Sequence, residues 1–85
     1  MIVNIYSTEQ CHYCNELKEF MKDNGLPFEE FNATNFKEWI LKETGRMAIP
    51  VVEIVDGDDS DTAKVFSGYT DELKDFLLEN KENIF

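Results

Sequence analysis

An α/β domain, with a central four-stranded mixed sheet flanked by three helices, is what this 85-residue sequence predicts. Three observations carry that prediction. Two apolar runs, Ile2-Val3-Asn4-Ile5-Tyr6 and Val51-Val52-Glu53-Ile54-Val55, read as strands. Stretches with apolar residues at helical spacing alternate with the strand-like runs. The only two cysteines, Cys11 and Cys14, stand three apart at the turn from the first strand into the first helix.

Taken in order, the first strand covers residues 2–6 and leads directly to the cysteines. The first helix is predicted over about 12–24, with Cys14, Leu17 and Met21 on one face. Gly25 suits the position just past its end, and Pro27 prevents continuation. A second strand is placed over 28–32 by its position between helices, because Phe28 and Phe31 do not alternate with period two. The second helix is predicted to start near Asn35. Asn35 and Glu38 resemble a capping box, Phe36, Trp39 and Ile40 form the apolar stripe, and Gly45 closes it. The run from Val51 is a β-branched strand whose hairpin partner is 63–67. Thr70 caps a last helix with the stripe Leu73, Phe76 and Leu77, and the tail after Asn80 is expected to fray. Between the hairpin strands, residues 56–61 carry four aspartates. As a calcium loop they fail, with Asp61 where glycine is needed and Ser67 where the closing glutamate belongs. An exposed acidic hairpin loop is the better reading.

Composition narrows the function. The length suits one domain, residues 1–85, that buries only ~60–65% of its unfolded surface. Seven Phe, three Tyr and one Trp give it a compact aromatic core. A net charge of −10 speaks against nucleic acid and disfavours anionic partners unless local cations compensate. Lys37, Lys42 and Arg46 are the candidates, against the plainer reading of a solvated helix face. No segment approaches the ~18 apolar residues of a membrane span, and no basic, apolar leader opens the chain. A cytoplasmic, reducing location is therefore the expectation, and a monomer is expected as well. In that compartment a cysteine pair is more often catalytic than structural.

Cys11-His12-Tyr13-Cys14 at a strand-to-helix turn reads as a redox motif of the thioredoxin-like kind. The first helical turn leaves backbone N–H groups unpaired, and these can hydrogen-bond a thiolate at Cys11. The helix dipole supplies ~0.3–1 kcal/mol, up to ~2 in a favourable site. Lowering a thiol pKa by two units requires roughly 2.7 kcal/mol, so direct N–H···S bonds must contribute. A buried structural pair and a metal half-site are the competing readings, the latter without the four ligands zinc requires.

The Cys11-His12-Tyr13-Cys14 motif, Ile49-Pro50 opening the third strand, and Gly68-Tyr69-Thr70-Asp71 opening the last helix occur here in a telling order. Together they resemble the small dithiol glutaredoxins, of thioredoxin-like fold, across essentially the whole chain. The resemblance implies that Cys11 is the nucleophile and Cys14 the resolving thiol. It implies a cis peptide at Ile49-Pro50, with the Ile49 backbone available to a substrate cysteinyl segment. Gly68, Tyr69, Thr70 and Asp71 match the segment that holds the γ-glutamyl end of glutathione, with helix N–H groups for its carboxylate and Asp71 for its ammonium. Tyr13 would flank the bound tripeptide. The plainer reading of Thr70 and Asp71 is a helix cap alone.

The sequence departs from the family pattern at four places. His12 replaces the usual proline of the motif, Ala48 the usual threonine before Ile-Pro, and Ser67 the first glycine of a pair. Glu9 stands where many relatives carry a basic residue, and its charge disfavours an anionic tripeptide. These departures bear on glutathione affinity more than on thiol–disulfide chemistry. The reading is a cytoplasmic glutaredoxin that reduces protein disulfides and glutathione mixed disulfides, with glutathione as reductant and no metal. The nearest alternative is a glutaredoxin-like redoxin reduced by thioredoxin reductase, whose relatives also show a Pro-Val-Val strand and a Ser-Gly-aromatic turn. Both types commonly serve ribonucleotide reductase, a partner the resemblance implies for this chain. A non-enzymatic metal or iron–sulfur carrier is a third and different class.

Overall fold

In the computed structural model, which describes residues 1–56 and 63–84, the alternation of strand and helix signals becomes a two-sided sheet. Strands β1 (Ile2–Ser7), β2 (Glu29–Asn32), β3 (Val51–Val55) and β4 (Lys64–Ser67) lie in the order β2-β1-β3-β4. β1 runs parallel to β2 and antiparallel to β3, and β3 runs antiparallel to β4. Helices α1 (His12–Asp23), α2 (Lys37–Thr44) and α3 (Asp71–Glu79) complete the described residues, with a short 3₁₀ turn at each of Ala33–Phe36 and Lys81–Asn83. The mixed four-stranded sheet with three helices is the predicted α/β architecture.

Side chains alternate across the sheet, so each strand feeds two layers. Val3 and Ile5 of β1, Val52 and Ile54 of β3, and Phe66 of β4 face α1 and α3, where Leu17, Met21, Leu73 and Leu77 meet them. Tyr6, Val51 and Val65 face the other way, against Ile40, Trp39, Phe36 and Ala33. The missing period in β2 follows from this arrangement. Phe28 packs with the first layer and Phe31 with the second, and a separation of three residues in an extended chain puts them on opposite faces.

The second layer is aromatic and carries a polar edge. The Tyr6 ring centroid lies 5.3 Å from Phe31, 5.0 Å from Phe36 and 4.8 Å from Trp39. Its hydroxyl donates to Glu53 Oε1 at 3.3 Å, and Asn4 Nδ2 donates to the same oxygen at 3.1 Å. Burial, reinforced by the Glu53 charge and hydrogen bond, pushes the Tyr6 phenol up to about 12. Eight-residue α2 is short, so the sheet beyond Tyr6 and Val51 on this face is closed by the Asn4–Glu53 cross-strand pair.

Three expectations are corrected. Asn35 does not cap the second helix: Asn32 caps the preceding 3₁₀ turn, its Oδ1 accepting from Thr34 N–H at 2.9 Å, and α2 begins at Lys37 behind an uncapped Phe36. The physical reason is chain direction. The polypeptide leaves edge strand β2 and must turn at once to bring Phe36 and Trp39 onto Tyr6. The described tail, through Ile84, does not fray either. Lys81–Asn83 forms a further turn, Ile84 is 7% exposed within the α1/α3 layer, and the terminal ammonium of Met1 donates to Asn83 O. Burying an aliphatic side chain contributes ~1.5–3 kcal/mol, enough to hold a short tail. The first helix ends one residue early, at Asp23. It closes in a Schellman pattern with Leu26 N–H bonded to Met21 O at 2.8 Å and Gly25 N–H to Lys22 O at 3.2 Å. The acidic stretch 57–61 lies outside the described residues.

Candidate active site

Register brings the three motif segments to one end of the sheet. Tyr6, near the end of β1, pairs with Val51 at the start of β3, and Val51 pairs with Ser67 at the end of β4. The loop after β1, which leads to Cys11, the Ile49-Pro50 segment before β3, and Gly68 after β4 therefore leave the same edge of the layer. Each lies where a strand meets a helix or loop, so its backbone groups are only partly used by the sheet.

Cys11 and Cys14 are joined in a disulfide with Cα atoms 5.2 Å apart. Cys11 is the N-cap of α1: its backbone is extended and its sulfur accepts from Cys14 N–H at 3.2 Å. Its carbonyl accepts the first helical bond, from Asn15 N–H at 3.1 Å. Cys11 is half-buried, whereas Cys14 is fully buried beside Leu17 on the apolar face. The two sulfurs thus occupy different media, one reachable at the helix end and one sealed behind it.

Ile49-Pro50 is a cis peptide. Pro50 is fully buried, and its carbonyl accepts Gly68 N–H at 2.7 Å, which ties the start of β3 to the turn into α3. Gly68 has φ +87°, a conformation that side chains disfavour, although a Cβ there would meet nothing closer than Thr70 Cγ2 at 4.0 Å. The backbone angle, not space, calls for glycine. Thr70 caps α3, its hydroxyl accepting Leu73 N–H at 3.2 Å. Tyr69 is half-buried with its ring edge-on to Phe20 at 6.3 Å, which docks the α3 start against α1. Tyr13 is 60% exposed beside the disulfide-bearing turn. Asp71 is exposed and stands 3.4 Å from Lys74 Nζ.

Three of the four departures from the family pattern, His12, Ser67 and Glu9, have a local consequence. His12 Nε2 meets Glu16 Oε1 at 3.0 Å, one turn along the helix. Ser67 accepts from Arg46 Nε at 3.3 Å, which fixes one cation between the loop before Pro50 and the end of β4. Lys37 and Lys42 remain exposed on α2. Glu9 lies with Gln10, Glu30 and Asn32 in the wall of an open cleft of about 590 Å³ between the β1–α1 loop and β2. Glu30 in that wall is held below the usual carboxylate range, chiefly by its 2.9 Å bond from Lys18, against the opposing effect of burial. This side of the site is therefore the less favourable one for an anion. Sequence reading missed the Arg46–Ser67 link, which joins residues 21 apart and has no local signal. It also missed Lys74 beside Asp71, for which the three-residue helical spacing was the available signal. Among the described residues, no group of three or more His, Cys, Asp or Glu side chains gathers as a metal site.

The glutaredoxin family model matches residues 3–59, which is more than half of the chain. The chain belongs to the glutaredoxin family. Members of this family carry out thiol–disulfide exchange, as the sequence resemblance implied. Glutaredoxin 3 of Escherichia coli is 34% identical over 56 residues; the match spans 61% of this chain and 66%, just under two thirds, of that relative. Among solved structures, a glutaredoxin from Archaeoglobus fulgidus superposes with a TM-score of 0.66 at 27% identity, covering 89% of this chain and 84% of its own. The glutaredoxin-like NrdH-redoxin of Escherichia coli, described as having a thioredoxin-like activity profile, gives 0.66 at 28% identity, covering 91% and 95%. The fold is thus shared with a glutaredoxin and with a glutaredoxin-like redoxin. No described helix is long and apolar enough to cross a membrane.

Proposed function

We propose that this protein is a cytoplasmic, monomeric, single-domain thiol–disulfide oxidoreductase that reduces protein disulfides and glutathione mixed disulfides, with glutathione as reductant. The observation that carries this reading is the asymmetry of the Cys11–Cys14 pair, a half-buried sulfur at a helix cap bonded to a fully buried one. In the reduced state the Cys14 N–H that now meets the Cys11 sulfur can stabilise a thiolate there.

The chemistry then balances in two-electron steps. The Cys11 thiolate attacks one sulfur of a substrate disulfide, and the other sulfur leaves as a thiolate that takes up a proton. The mixed disulfide at Cys11 has two exits. Cys14, after losing its proton, attacks the Cys11 sulfur, releases the second substrate thiol and closes the disulfide. Alternatively, where the partner is glutathione, a second glutathione thiolate attacks the glutathione sulfur, which gives glutathione disulfide and free Cys11. Re-reduction of Cys11–Cys14 consumes two glutathiones by the same steps in reverse order of partners.

Ile49 lies outside the sheet's hydrogen-bond ladder, next to the disulfide end of the sheet, and supplies backbone groups for a short β-type contact with the substrate cysteinyl residue. Gly68, Tyr69, Thr70 and Asp71, at the start of α3, receive the γ-glutamyl end, while exposed Tyr13 flanks the tripeptide. Disulfide-containing proteins, ribonucleotide reductase among them, are the proposed partners. A second reading, a redoxin reduced by thioredoxin reductase, is favoured by two observations: the 95% coverage of the NrdH-redoxin structure and acidic Glu9 beside the motif.

Serine substitutions test the cysteine roles. Cys11→Ser abolishes all exchange. Cys14→Ser retains turnover of a glutathione mixed disulfide and loses reduction of a protein disulfide. Retained activity in Cys11→Ser would sink the assignment.

A further inference from the structure

We propose that Lys74 is a built-in competitor for the ammonium of glutathione and sets a deliberately weak affinity for the tripeptide. The inference rests on the reading of Asp71 as the group that pairs with that ammonium. Asp71 opens α3 with its side chain 95% exposed, which is the geometry of a carboxylate awaiting a partner. A partner is already present. Lys74 Nζ lies 3.4 Å from Asp71 Oδ1 and 4.7 Å from the centroid of the Tyr69 ring.

Two attractions from the same segment converge on one ammonium. The Asp71 carboxylate draws it by charge, and the face of Tyr69 draws it through the ring quadrupole. Tyr69 is itself fixed against Phe20, so the platform does not swing away. The Lys74 side chain is correspondingly held in, at 34% exposure. An incoming γ-glutamyl ammonium meets Lys74 at Asp71 and competes with it for the charge of that carboxylate. The competitor is tethered one helical turn from Asp71, so it is always present and cannot be diluted away.

The sign of the effect separates this role from general electrostatics. Glutathione carries two carboxylates and one ammonium, and the chain has a net charge of −10. Removing a lysine makes the protein more negative, and on charge alone that weakens an anionic ligand. Release of Asp71 has the opposite effect. The two accounts therefore predict changes of opposite direction from one substitution.

The experiment measures the KM for glutathione in turnover of a glutathione mixed disulfide, coupled to glutathione reductase. Glutathione-driven turnover is divided by dithiothreitol-driven turnover of the same sample, which cancels any loss of folded protein. Lys74→Gln lowers the KM for glutathione by roughly three- to tenfold, the scale of an exposed ion pair with an added ring contact. Lys74→Arg, which keeps the cation, stays near wild type. In an Asp71→Asn background Lys74→Gln has no effect on KM. An unchanged or raised KM in Lys74→Gln overturns the inference, a raised value meaning that Lys74 holds a carboxylate of glutathione instead. If wild type turns over with glutathione but Lys74→Gln does not improve, only the Lys74 role falls. If neither protein uses glutathione while both work with dithiothreitol, the Lys74 role falls together with the glutathione reading.

Discussion

Cys11 and Cys14 differ by three positions and almost nothing else in chemistry, and the fold makes them unequal. The helix cap gives Cys11 a backbone donor and access, and the apolar face gives Cys14 burial. Both placements were legible from the strand, turn and helix signals around the motif. The partners of Tyr6 were not, because Glu53 lies 47 residues away across a strand pairing whose register no local pattern specifies. The buried Tyr6 phenol has a measurable pH signature, caused first by burial and then by the Glu53 charge and hydrogen bond. The unfolded chain releases a tyrosine proton near ~10, whereas Tyr6 in the folded protein holds its proton to about 12. Its contribution is complete below the unfolded value and is lost as pH rises from about 10 to about 12. Tyr6→Phe removes the bond to Glu53 and is expected to cost about 1 kcal/mol at pH 7, or roughly 4–8 °C in Tm. Thermal unfolding at pH 9 and pH 11 should show a steeper alkaline loss in wild type than in Tyr6→Phe. Parallel losses in the two proteins would remove Tyr6 ionisation as the cause.

Among the elements, those with strong local signals were read correctly and those shaped by tertiary demands were not. β1, β3 and the stripes of α1 and α3 follow from β-branched runs and helical spacing. The 3₁₀ turn before α2 escaped because Asn32 and Asn35 are equally good caps in isolation. The choice between them depends on where Tyr6 requires Phe36 and Trp39 to sit. The segment at α3 was legible as a helix start through Thr70, while the Pro50–Gly68 bond that anchors it spans two elements. Thr70→Ala removes the cap and is expected to cost ~1 kcal/mol of stability. If, as proposed, the same turn offers N–H groups to the γ-glutamyl carboxylate, this substitution also raises the KM for glutathione more than it lowers kcat. Loss of stability with an unchanged KM would leave Thr70 as a helix cap only.

On the scale of the whole molecule, the sheet is covered on both faces, and every family motif gathers at one of its ends. Two observations weigh against tight glutathione binding at that end, namely acidic Glu9 in the cleft wall and Lys74 seated on Asp71. Arg46 is tied to Ser67 at the same end. The proposed balance is a glutaredoxin that uses glutathione at modest affinity, within a fold shared with a redoxin described as having a thioredoxin-like activity profile. One measurement addresses this claim most directly: turnover of a glutathione mixed disulfide, with glutathione plus glutathione reductase in one assay and thioredoxin reductase alone in the other. The account predicts sustained turnover in the first assay and little in the second. Rapid turnover with thioredoxin reductase and none with glutathione would contradict it.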